Sequence, residues 1–203
     1  AALSTIVERH ESLRTSFIED SDGQPLQVIR SLSGIDVPLT DMALLPNSER
    51  DAELAALVLA EASQPFDLTN DLMLRTQLIK ESEEAHVLLV TMHHIASDGW
   101  SIGVLINELS ALYTAYTQGK KNPLPPIDIQ YADYAQWQRE ELQGEVLDQH
   151  VGYWKAQLAG LPVVHSLPLD KIRPKIQRFA GASYESVIEP AVSAQLNALC
   201  QGV

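Results

Sequence analysis

Cysteine is all but missing from this sequence. Cys200 is the only one among 203 residues, so no disulfide can form within the chain and no thiolate cluster exists to hold a structural zinc. A reducing, cytoplasmic setting fits that usage. Basic residues are scarce as well: 14 Lys and Arg stand against 27 Asp and Glu, a net charge of -13. Such a field repels phosphate backbones and anionic bilayers, which argues against nucleic acid and membrane surfaces as partners. No apolar run approaches bilayer-spanning length, and Ala1-Ala2-Leu3-Ser4 lacks the basic, then apolar layout of a signal peptide. An initiator Met is absent too. The chain opens inside a predicted helix with Leu3, Ile6 and Val7 on one face, so its natural start is expected upstream.

What is present is enough apolar content, 45% of residues, to build a real core, which excludes disorder. Along the chain, Leu13 to Ile18 alternates as a strand, Asp22-Gly23 supplies a turn, and Leu26 to Ile29 returns as the hairpin partner. A short strand is expected over Asp36 to Thr40. Asn47 or Ser48 is expected to cap a helix carrying Leu54, Leu57, Val58 and Ala62, and Pro65 stops it. Leu72 to Ile79 and Val87 to Met92 read as core strands, with the polar segment Lys80 to Ala85 between them. From Ser101 the period changes: Ile102, Leu105, Leu109, Leu112 and Tyr116 recur at helical spacing, with Gly119 at the terminus. Helices are predicted over Tyr131 to Leu142 and Val146 to Leu158. Beyond them come an extended segment over Leu167 to Pro174, a strand over Ser183 to Ile188 and a helix over Ala191 to Cys200. Strand pairs alternating with helices make an α/β layered fold.

The chemistry concentrates in His93-His94-Ile95-Ala96-Ser97-Asp98-Gly99-Trp100-Ser101, where a buried strand runs into a polar turn and then a helix. Neighbouring side chains on a strand point to opposite faces, so His93 and His94 are expected to divide into one structural and one functional residue. Asp98 precedes Gly99, where a sharp turn is expected; the carboxylate can face back toward the strand to fix an imidazole or an arginine, and Gly99 lets a substrate approach the backbone. Taken singly, a buried His is more often a hydrogen-bonded core residue, and Asp-Gly is a common turn. Taken together, four fixed positions at frequencies of a few per cent arise by chance on the order of once per million windows. A metal site competes, but adjacent histidines with opposed directions and no third ligand nearby make a poor zinc cage.

The His-His-x-x-x-Asp-Gly pattern resembles the active-site signature of condensation domains of nonribosomal peptide synthetases. Three further stretches match that family's motifs in the same order: Arg9-His10-Glu11-Ser12-Leu13-Arg14-Thr15-Ser16-Phe17, Tyr131-Ala132-Asp133-Tyr134-Ala135-Gln136-Trp137-Gln138, and the run from Tyr153-Trp154 through Leu158, Gly160 and Pro162 to Leu167-Pro168-Leu169-Asp170 and Arg173-Pro174. The family's opening motif is absent, and so are its second-lobe motifs.

The resemblance implies most of one lobe of a two-lobed, chloramphenicol-acetyltransferase-like α/β fold. Residues 1–175 would form the N-terminal lobe without its beginning, and 176–203 the crossing segment and the start of the second lobe. It also implies amide formation between carrier-bound thioesters. Upstream and downstream peptidyl or aminoacyl carrier domains bring their substrates on phosphopantetheine arms, and no cofactor or metal is bound to the domain itself. Under this resemblance His94 is the catalytic base or amine-positioning group, and the Gly99 amide helps hold the oxyanion. His93 and Trp100 are structural at the active site, as are Asp98 and Arg14, which are expected to form a buried ion pair. The isolated chain is expected to be inactive without the second lobe. Alternatives are a related carrier- or CoA-dependent acyltransferase, an epimerization domain, and a non-catalytic carrier-docking module. An intact motif, Trp100-Ser101 and the Arg9 and Tyr131 motifs favour condensation over these.

Overall fold

Leu3, Ile6 and Val7 fall three and four residues apart, and in the computed structural model they form the buried stripe of helix α1 (Ala2–Arg9). The structure describes residues 1–32, 34–164, 167–172, 174–176, 181–182 and 184–202. Past α1 the extended backbone of His10 leads into a 3-10 turn at Glu11–Arg14. The turn is tied by the Leu13 N–H on the His10 carbonyl at 3.0 Å and by the Thr15 hydroxyl on the Glu11 carbonyl at 2.7 Å. The strand expected from Leu13 therefore begins only at Thr15. This strand, β1 (Thr15–Glu19), pairs antiparallel with β2 (Pro25–Ile29), Thr15 opposite Ile29. Between them the Asp20 carboxylate accepts the N–H groups of Asp22 and Gln24 at 2.9 and 2.8 Å, and Gly23 takes a φ of 74°, which a glycine adopts without strain.

A second sheet has the order β3-β4-β5, from β3 (Leu39–Asp41), β4 (Leu74–Lys80) and β5 (His86–Met92). β3 runs parallel to β4 and β5 antiparallel to it, with Leu74 opposite Met92 and Lys80 opposite His86. Helix α2 (Asn47–Ser63) lies between β3 and β4 in sequence. It begins after Pro46 rather than at a capping side chain of Asn47 or Ser48, because the Pro46 carbonyl itself receives the N–H groups of Glu49 and Arg50. Helix α3 (Gly99–Thr117) follows β5 and buries Leu105, Leu112 and Ala115. Helices α4 (Tyr131–Glu141) and α5 (Gly144–Gln157) come next, and neither buries a residue fully.

The core is one cluster drawn from α1, the 3-10 turn, β4 and α3: Ile6, Val7, Leu13, Leu74, Leu105 and Leu112. Polar bonds fix the rim of this packing. Arg9 Nε donates to Glu108 Oε1 at 3.0 Å, and His10 Nε2 sits 2.7 Å from Glu108 Oε2, with side chains 13 to 26% exposed. Arg9 also donates to the Pro125 carbonyl. The Gln130 side chain, just ahead of α4, donates to the Arg9 carbonyl at 2.9 Å and accepts the Glu11 N–H at 3.2 Å. Glu108 thus binds α3 to the end of α1, and Gln130 binds the start of α4 to the same point.

Two compact units are present, Ala1–Trp154 and Lys155–Val203. In the second, helix α6 (Pro190–Gln201) opens with Pro at its first position, as its fixed φ favours. The strand expected over Ser183 to Ile188 does not form over residues 184–188, where Tyr184 and Val187 are each 92% exposed and no partner strand among the described residues supplies a ladder. Ser183 itself lies outside the described residues, as does Arg173 of the expected extended segment; residues 167–172 form neither helix nor strand.

Glu108→Ala would leave the Arg9 guanidinium without its carboxylate in a mostly buried position. Hydrogen bonds to charged groups contribute about 1.5 to 3 kcal/mol, and denaturant unfolding of the variant should show a loss of that size. A variant as stable as the parent would show that Glu108 does not hold α1 to α3.

Candidate active site

The strand β5 ends at Met92, but its ladder persists one residue further, because the His93 N–H donates to the Met73 carbonyl at 3.0 Å. From there His93 organises the turn. Its carbonyl accepts the Ala96 N–H and the Ser97 hydroxyl, each at 3.1 Å. Its ring Nδ1 accepts the Ile95 N–H at 3.0 Å, which places the proton of the neutral ring on Nε2. The imidazole meets Phe66 edge to face, with centroids 5.4 Å apart at 74°.

Phe66 is itself clamped. The Arg75 guanidinium stacks 3.8 Å from its centroid. The same guanidinium pairs with Glu61 at 2.7 Å and donates to the carbonyls of Glu61, Gln64 and Pro65 at 2.9 to 3.1 Å, where a cation suits the C-terminal end of α2. Neither Phe66 nor Arg75 carries a signal in the sequence. Phe66 follows a helix-ending Pro, Arg75 lies inside a strand, and their connection to His93 exists only in three dimensions.

His94 behaves differently. It is exposed, its ring makes no hydrogen bond among the described residues, and it faces an open cavity of about 280 Å3. Ser12, Ile95, Asp98, Ser101 and Tyr131 share that cavity. The motifs around Arg9 to Phe17 and Tyr131 to Gln138, distant in sequence, therefore each send a residue to the wall beside His94.

Asp98 corrects an expectation. It is exposed rather than buried, and its carboxylate accepts the Ser101 N–H at 2.9 Å and the Ser101 hydroxyl at 2.8 Å, while its own N–H donates to Ser101 Oγ at 3.1 Å. This reciprocal cap closes the first turn of α3. No pair with Arg14 forms. The 3-10 turn aims Arg14 elsewhere, at Glu11 at 3.3 Å, the Glu8 carbonyl at 3.3 Å and the Arg30 carbonyl at 2.8 Å. The Ser101 N–H and then its hydroxyl hold the Asp98 carboxyl below the usual value of 3.8, against a smaller opposing effect of desolvation.

Two further expectations change. Trp100, expected to be structural at the active site, is 84% exposed at the start of α3. Gly99, expected at a sharp turn, is the first residue of α3 and lies outside the positive-φ region, and a Cβ added there would meet nothing within 4 Å. The backbone does not require glycine at this position. The space above it is open, and its N–H is one of those a helix leaves without an internal partner. Among the described residues no group of three or more His, Cys, Asp or Glu is placed to hold a metal, and no helix is long and apolar enough to cross a membrane.

Compared with known families, residues 1–202 match the sequence model of the Condensation domain. The chain belongs to the condensation-domain family. It is 44% identical over 198 residues to one of the linear gramicidin synthase proteins of Brevibacillus parabrevis, covering 98% of this chain and 2% of that protein. With malpibaldin synthetase of Mortierella alpina it shares 43% over 199 residues, covering 98% of this chain and 4% of the other. Among solved structures, the X-domain from teicoplanin biosynthesis superposes with a TM-score of 0.73 at 34% identity, over 87% of this chain and 38% of that one. The chain thus spans a small part of the curated relatives and under half of the solved domain. Its fold is the layered α/β, chloramphenicol-acetyltransferase-like fold of condensation domains, as the motifs of this domain in nonribosomal peptide synthetases implied.

Asp98 contributes stability as the ionised form. Because its folded-state pKa is depressed, that contribution is present above the unfolded pKa and is lost as pH falls through the folded value. Asp98→Ala, which removes the cap at every pH, should lower Tm by roughly 2 to 4 °C near neutrality. Asp98→Asn keeps a capping oxygen and should lose the acid-side part of the pH dependence while nearly matching the parent Tm at pH 7. Equal Tm values for Asp98→Ala and the parent would refute the capping role.

Proposed function

We propose that this condensation-domain chain carries the histidine that serves amide formation between two carrier-bound substrates. The observation that supports this most is the division of labour in an intact motif: His93 is bonded into the turn and packed on Phe66, whereas His94 stands unbonded in an open cavity. In the reaction, the amine of a downstream aminoacyl group attacks the carbonyl carbon of an upstream thioester. The C–N bond forms, the C–S bond breaks, and the proton shed by nitrogen ends on the departing thiol of the phosphopantetheine arm. An imidazole at His94 accepts or orients that proton. As oxyanion character develops on the carbonyl, the Gly99 N–H at the positive end of α3 is suited to stabilise it.

Under this reading residues 1–175 form the catalytic lobe and 176–203 the crossing segment toward the second, and upstream and downstream carrier domains present the two thioesters. His93 and Asp98 shape the turn, Trp100 stands exposed at the start of α3, and Arg14 supports the 3-10 turn rather than pairing with Asp98. The unbroken motif speaks against a purely carrier-docking module.

In the complete domain with loaded carriers, His94→Ala should reduce amide formation by about 2 to 4 orders of magnitude, the range for removing a general base, with little change in Tm. His93→Ala should lower Tm, because the Ile95 bond and the Phe66 contact go with it. A loss below tenfold for His94→Ala would refute the general-base role, and full activity would refute the site itself.

Gly99→Ala separates fold from function. Ala replaces Gly in a helix with a gain of up to about 1 kcal/mol, so thermal stability should hold or rise, while a methyl group placed over the open backbone should lower kcat/KM. Unchanged kcat/KM would show that no substrate approaches Gly99.

A further inference from the structure

Beside the His94 cavity lies a second one of about 200 Å3. The two share Ser12, Ala96, Ser97 and Ser101, so the wall between them contains no side chain larger than serine. The rest of the second cavity is mainly apolar, with Met92 from the end of β5, Trp100, Val104 and Leu105 from α3, and Leu13 from the 3-10 turn. Its one titratable neighbour, His10, is already held 2.7 Å from Glu108.

Three properties identify an occupant. The volume is below the 300 to 1,000 Å3 typical of a pocket for a whole ligand, and somewhat above the roughly 150 Å3 of an apolar cavity that accepts benzene. It therefore suits one side chain, a branched aliphatic group or a phenyl ring. The lining favours an uncharged group, and the Glu108 and Asp98 carboxylates nearby disfavour an acidic one. The position is adjacent to His94, where the attacking amine sits under the function proposed above, and in an amino acid the side chain is borne by the carbon bonded to that amine.

We propose that this cavity receives the apolar side chain of the acceptor amino acid, and so makes Val104, Met92 and Trp100 determinants of acceptor specificity. The inference rests on the proposed amide-forming role of His94, and two measurements keep the failures apart. In the complete domain, acceptor carriers loaded with glycine, leucine or phenylalanine should give kcat/KM values at least about tenfold higher for leucine or phenylalanine than for glycine, since one missing methylene in an apolar pocket is worth roughly 10- to 200-fold. Val104→Phe fills the cavity from a residue that does not line the His94 site, and it should erase that preference by lowering kcat/KM for leucine and phenylalanine more than for glycine. No preference in the parent, or an equal loss with every acceptor in the variant, would overturn the proposal.

The second measurement needs no turnover. The chain has three methionines, Met42, Met73 and Met92; the first two are wholly buried and do not line the cavity. With 13C-methyl-labelled methionine in the complete domain, L-leucinamide should shift the Met92 methyl resonance and leave Met42 and Met73 in place. Glycinamide should move none of them, and Val104→Phe should abolish the Met92 response. If no acceptor yields amide, the His94 function falls while the Met92 response still decides the cavity. A Met92 signal indifferent to leucinamide, or equally moved by glycinamide, would sink the assignment.

Discussion

The junction between β5 and α3 depends on one reciprocal contact, the Asp98 carboxylate on the Ser101 N–H and hydroxyl with Ser101 Oγ returned to the Asp98 N–H. A strand cannot pass into a helix within six residues unless the helix's first N–H groups find acceptors, and here a side chain three residues away provides them. With the helix start fixed, the intervening turn has little freedom. His93 uses it by bonding Ile95, Ala96 and Ser97 from its ring and carbonyl. His94 is left facing the cavity because the polar groups of the turn beside it are already bonded to one another.

Local closure also explains why Asp98 does not pair with Arg14. A capping partner three residues away needs little extra ordering, whereas a guanidinium from another element must give up its own bonds and be immobilised. Arg14 already serves the Glu8 and Arg30 carbonyls and Glu11. The cap and the helix N-terminus satisfy the Asp98 charge without burying it, which avoids the desolvation cost a buried ion pair carries. Arginines elsewhere follow the same economy. Arg75 meets a carboxylate, three carbonyls and an aromatic face at one spot, and through Phe66 it sets the ring plane of His93.

What can be read from the sequence is local. Helices α1 and α3 and the hairpin turn at Asp22-Gly23 emerge from spacing and turn chemistry, and the His93 to Ser101 segment from its unlikely combination of residues. The start of β1 escapes such a reading because a 3-10 turn leaves no periodic trace in four residues. The cap of α2 differs from expectation because Asn and Ser favour capping only when the backbone offers them the position, which the Pro46 carbonyl occupies. Residues 184–188 include Tyr184, Val187 and Ile188, types that favour strands, yet composition alone does not provide a neighbour to pair with. The Phe66 and Arg75 support and the second cavity arise from contacts between elements, for which the linear chain holds no signature.

The strand that delivers the histidines ends its sheet among the described residues, since the order is β3-β4-β5. From His86 to Met92 it reads His-Val-Leu-Leu-Val-Thr-Met, with no lysine, glutamate or proline to blunt the outer row of backbone groups. Such an edge accepts another strand of any source that matches its length. Concentrated solutions of this chain will tend toward intermolecular β-pairing and aggregation along β5, and a charged substitution at an outward-facing position of that strand is the natural means of keeping the protein dispersed.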